Sequence, residues 1–84
     1  MSEDPVRIQA EILAQTAARG PYKSICPSEV ARTLDPDWRP LMSPVRREAA
    51  LLARAGQIEI LRKGKPVDPE GVRGVIRLRV KAAG

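Results

Sequence analysis

An α+β fold is predicted by three features of this 84-residue chain. Apolar residues recur at helical spacing through its first two thirds, the period changes to strict alternation near Gln57, and prolines and glycines fall at the joints. Helical spacing buries one stripe of a segment and alternation buries one face of a sheet, so together they specify helices packed on strands. The length suits one small domain (1–84), with a structured core over about 5–81.

Helix one is expected from about 5 to 19. Asp4 is an N-cap acceptor, Pro5 takes the first helical position, where its missing N–H costs nothing, and Gly20 is the stop. Ile8, Ile12 and Thr16 recur every four residues beside Leu13, with Arg7, Glu11 and Ala18 opposite. After "GPYKS" and a short strand near Ser24–Ile25, Pro27 opens helix two, roughly 27–34, with Val30 and Leu34 toward the core. Cys26, just before it, reads as a cap or small buried hydrophobe, or as a helix-terminal thiolate.

The next stretch, "DWRPLMSPVRR", holds two prolines four residues apart. A helix running through Pro40 would lose a backbone hydrogen bond and clash with the preceding turn, at about 3 kcal/mol. Residues 36–42 are therefore expected to form a turn or short helical piece, with Ser43 as N-cap and Pro44 as the first residue of helix three. Along that helix Val45, Ala49, Leu52 and Ala53 share one arc, Arg47 and Arg54 lie opposite, and Arg46 sits on a flank. Gly56 ends it in the position where a left-handed residue is usual. Trp38 is expected to be the largest piece of an aromatic-poor core.

"QIEILRK" and "GVIRLRVK" then alternate, with Ile58 and Ile60, and Ile76, Leu78 and Val80, on the buried side of a two-stranded β-hairpin. Between them "KGKPVDPEGVRG" carries three glycines and two prolines and is expected to be a long irregular loop over 63–74. Arg77 and Arg79 project outward, where cross-strand pairing with Glu59 is the favoured fate. The acidic pairs Asp35/Asp37 and Asp68/Glu70 each flank a proline and are expected to close turns.

Three helices followed by a hairpin, with a short strand near 24–25, is the order of a winged helix-turn-helix, in which 63–74 would be the wing. "ICPSEVAR", "DWRPLMSPVRREAALLARAGQIEILRKGKPVD" and "GVIRLR" also resemble the small bacterial family catalogued as domain of unknown function 3253, over about 6–80. The resemblance implies a winged-helix fold and carries no activity, ligand or site residue. Val75 stands where proline is common in that pattern.

Enzyme chemistry is not expected. The chain has no histidine and one cysteine, which leaves no usual zinc site, no cofactor motif and no activated nucleophile. No apolar run is long enough to span a bilayer, and "MSEDPVRIQA" lacks the basic start and apolar run of a secretory signal, so a cytoplasmic protein is expected.

Charge points to binding. Residues 1–38 hold four basic and six acidic side chains, whereas 39–84 hold eleven basic and four acidic ones. A basic face of this kind attracts polyanions, and it also serves as an ordinary solvated surface. Helix three is placed as the groove-reading helix: Arg46 and Arg47 lie in its first turn, Arg54 two turns on, and Ala50 leaves room between. Arg62, Lys63, Lys65 and Arg73 in the wing and Arg39 before helix three are candidate phosphate contacts. Double-stranded DNA is thus the expected partner, although Glu48 and Glu59 interrupt the basic surface. The alternative is an adaptor that binds another protein, hinted at by Leu51 beside the arginines.

Overall fold

The computed structural model describes residues 4–70 and 73–82, so positions 71–72 of the expected wing lie outside the described residues. The elements are α1 (Pro5–Arg19), α2 (Pro27–Leu34), a 3-10 turn (Arg39–Leu41), α3 (Met42–Arg54), β1 (Ile58–Arg62), β2 (Lys65–Val67) and β3 (Arg77–Val80). Both early helices start as their local chemistry requires. The Asp4 carboxylate accepts from the Val6 N–H at 3.0 Å, and Glu29 in the first turn of α2 accepts from the Cys26 N–H at 2.8 Å. Each helix has proline at its start, where the N–H it lacks would have no intrahelical acceptor.

Helix α3 starts differently from the sequence expectation. Ser43 is not an N-cap but an exposed residue inside the first turn, and the helix opens two residues before Pro44. The cause is the 3-10 turn ahead of it, whose backbone supplies the acceptors: Leu41 N–H donates to the Trp38 carbonyl at 2.9 Å, and Met42 N–H donates to that of Arg39. Pro40 sits in the first positions of that turn and Pro44 in the first turn of α3, both places that need no donor. The far end is as expected. Gly56 has φ +80, its N–H donates to the Ala53 carbonyl and that of Gln57 to Leu52, each at 3.0 Å, which together make a Schellman cap.

The sheet has three antiparallel strands in the order β2-β1-β3, not two. Lys63 (φ +54) and Gly64 (φ +80) form a two-residue turn with both central residues at positive φ, the geometry that matches hairpin twist. It brings Lys65, Pro66 and Val67 opposite Arg62, Leu61 and Ile60. Turn chemistry dominates the composition of this segment, yet its turn at Lys63–Gly64 is followed by three strand residues, Lys65–Val67, before the Asp68 turn. Pro66 is tolerated because β2 is an edge strand. On the other side Ile25 and Leu78 exchange both backbone bonds at 2.8 Å, so the short strand near 24–25 is a single bridge on β3.

One cluster forms the core: Ile8 and Ile12 of α1, Val30 and Ala31 of α2, Val45, Ala49 and Leu52 of α3, and Ile25, Ile58, Ile60, Ile76 and Leu78 of the sheet side. Burying each large aliphatic side chain is worth about 1.5–3 kcal/mol. Thr16 is buried among them, and its hydroxyl donates to the Ile12 carbonyl at 2.8 Å. Trp38 is not the centre of this core. It is half-buried at its margin, because the turn that carries it runs along the outside of α2 and α3.

Candidate nucleic-acid interface

The exposed stripe of α3 is Ser43, Arg47, Leu51 and Arg54, spaced at one and two helical turns on the side away from the core. Glu48, expected on the surface, is on the buried side. It is 3% exposed, and its carboxylate accepts from Gln9 Nε2 at 2.7 Å and from Arg47 Nε at 3.4 Å. Its position between Val45 and Leu52 at helical spacing was the signal for this. Glu59 is likewise withdrawn: it lies opposite Arg79, which donates to it at 2.6 and 3.1 Å, as cross-strand pairing requires. Neither carboxylate breaks the helix-three surface.

Two residues between β2 and β3, Glu70 and Gly74, are held against α3. Arg46 Nη1 donates to the Gly74 carbonyl at 3.1 Å, and Arg54 pairs with Glu70, the acidic residue that does meet this surface. Gly74 has φ +82, and a Cβ there would stand 3.4 Å from the Arg62 guanidinium. Arg46 of the helix and Arg62 of the strand thus converge on one residue. The expected wing is therefore not a free loop over 63–74: its tip is the Lys63–Gly64 turn, and Glu70 and Gly74 beyond it are tied to α3. The turns at Asp35 and Asp68 are closed as expected, each carboxylate accepting from the N–H two residues on at 2.8 Å.

At the start of α3, Arg39 stacks on one part of a larger arrangement. Its guanidinium lies 4.7 Å from the centre of the Trp38 ring, and that of Arg32, from α2, lies 4.6 Å from it. Arg32 was not legible as a site residue, since only the packing of α2 beside the turn brings it to Trp38. Arg77, in turn, is not shared with Glu59: Nε donates to Ser24 Oγ at 2.7 Å and Nη2 to the Ser24 carbonyl at 2.9 Å. Lys63, Lys65 and Arg73 are exposed and take part in no ion pair among the described residues.

Of the eight candidate contacts, Arg46 and Arg62 are brought together at Gly74, with Lys63 next to Arg62, Lys65 opposite it across the hairpin and Arg73 next to Gly74; Arg47 and Arg54 share the helix face, and Arg39 stands apart on Trp38. No group of three or more metal-ligating side chains occurs among the described residues, and no described helix is long and apolar enough to cross a membrane.

A helix, a bridge strand, two further helices and a three-stranded antiparallel sheet, in this order, make a small α+β domain of winged helix-turn-helix arrangement. The chain belongs to the family described as Protein of unknown function (DUF3253), whose model matches residues 5–81. No curated protein matches it.

Proposed function

We propose that the chain binds double-stranded nucleic acid through α3 and the hairpin turn, acts without catalysing a reaction, and serves a regulatory role in the cytoplasm. The observation that supports this most is the approach of Arg46 of the helix and Arg62 of the strand to one residue, Gly74, with Lys63 and Arg73 beside them in sequence. Lys63 and Lys65 at the hairpin tip would meet phosphates, while Arg47 and Arg54 face the groove with Ala50 between them. Arg39 and Arg32, spread over Trp38, would flank the duplex at the start of α3.

Titration with duplex DNA at several salt concentrations tests the reading. Phosphate contacts make the affinity fall steeply with salt, and the double substitution Arg47→Ala/Arg54→Ala should weaken it further. Absence of binding near about 50 mM salt, or binding indifferent to salt, would refute it. A second reading rests on Leu51, 45% exposed in the middle of the same stripe, which fits a protein partner seated on α3. In that case Leu51→Ser abolishes partner capture and the duplex titration shows nothing.

A further inference from the structure

The sheet has an apolar spot on the face turned away from the helices. Ile60 points into the core, so its neighbour Leu61 points outward, yet Leu61 is only 5% exposed and stands outside the core cluster. It forms the floor of a groove of about 470 Å³ between the hairpin turn and Ser24, with Val75 as a wall that is 83% exposed. Arg62, Lys63 and Arg77 rim it, and no carboxylate lines it among the described residues. A cavity with a hydrocarbon floor and three cations at its edge is complementary to an anion that carries an apolar body.

Arg77 is the oriented member of this rim. Its Nε and Nη2 are engaged by Ser24, which fixes the plane of the guanidinium. Neither bond uses Nη1, so the Nη1/Nη2 end of the fork remains for a ligand, and a carboxylate matches it with two parallel hydrogen bonds. A bare inorganic ion would leave Leu61 and Val75 unused. An added peptide strand fits poorly, since Pro66 has no N–H to offer on the β2 edge and the other edge, β3, is already bridged by Ile25 at Leu78.

We propose that this groove binds a small organic carboxylate with a hydrocarbon body, its head on Arg77 with Lys63 and Arg62 near, and its body on Leu61 and Val75. The groove shares Arg62 and Lys63 with the duplex surface, but Leu61, Val75 and Arg77 have no part in that surface, so either reading can fail alone. The test is an amide-resolved NMR titration of the full chain with hexanoate, acetate and 1-hexanol. Hexanoate should give saturable shifts centred on residues 61–64 and 75–77, with acetate and 1-hexanol at least about tenfold weaker. Each methylene removed from hexanoate should weaken binding by about threefold.

Two variants complete the test. Arg77→Gln removes the oriented fork, and Val75→Glu places a carboxylate on an exposed wall without touching the core; each should cost about tenfold for hexanoate, and Arg77→Gln, at a residue with no part in the duplex surface, should leave duplex titrations unchanged. Equal shifts with acetate and hexanoate would mean a bare cationic surface and would overturn the proposal. So would hexanoate shifts centred on α3, or a Val75→Glu protein that is folded and still binds hexanoate normally.

Discussion

Helix α3 and the first hairpin carry the same number of cations, Arg46, Arg47 and Arg54 against Arg62, Lys63 and Lys65, but hold them under opposite conditions. All three on the helix are engaged: Arg46 by the Gly74 carbonyl, Arg47 by buried Glu48 and Arg54 by Glu70. The two hairpin lysines are exposed and without an ion pair among the described residues. Charge counts alone make the two regions look equivalent. The difference is one of availability: a polyanion meets the hairpin lysines at once, whereas each helix arginine must exchange an existing partner. That exchange is cheap for Arg54, whose pair is half-exposed, and dearer for Arg47, which neutralises a carboxylate inside the protein.

Breaking the scaffold should have the largest effect on this contrast. Leu52→Ala empties a core position beneath α3 and should destabilise the fold by about 2–5 kcal/mol, read by urea denaturation. Helix-face contacts should be lost with it. Reversing both hairpin charges, Lys63→Glu/Lys65→Glu, should lower duplex affinity more than tenfold at low salt while leaving stability nearly unchanged. If both lysines contact phosphates, the slope of log affinity against log salt should fall by about 2 in magnitude. A slope that stays the same would place the contact on the helix alone.

The two helix pairs can be separated by stability. Arg47→Ala leaves Glu48 buried with only Gln9 as partner and should cost about 1–3 kcal/mol, whereas Arg54→Ala should cost less than about 0.5 kcal/mol. Equal losses in thermal or urea unfolding would contradict the distinction drawn between them. The smallest effect is a gain: Glu70→Gln releases Arg54 and should tighten duplex binding by a few-fold with no change in folding.

Much of the backbone plan was legible. Asp4–Pro5, Glu29 after Pro27, and Gly56 act within a turn of their own positions, and α1 and α2 begin and end where those residues place them. The start of α3 was not legible at Ser43, because the 3-10 turn ahead of it supplies from its own backbone the acceptors that a cap would provide. Strand β2 was hidden by composition, although Lys63–Gly64 is a workable hairpin turn and an edge strand accepts Pro66. Glu48 was legible in principle, since residues 45, 48, 49 and 52 form one helical stripe; a charged side chain in that stripe is buried only because Gln9 and Arg47 are there to receive it.

By itself the sequence determined the bounds of α1 and α2, most of the inward residues of the helices and of β1 and β3, the glycine that stops α3 and the concentration of positive charge in the second half. These follow from spacing and from hydrogen bonds closed within a few residues, so no knowledge of packing is needed. Tertiary structure alone decided which cations are engaged and which are not. Arg77 meets Ser24 across 53 residues, Gln9 meets Glu48 across 39, and Arg46 meets Gly74 across 28. Such partners are chosen only when the helices settle on the sheet, because distance and burial, not local preference, determine which polar groups must satisfy one another.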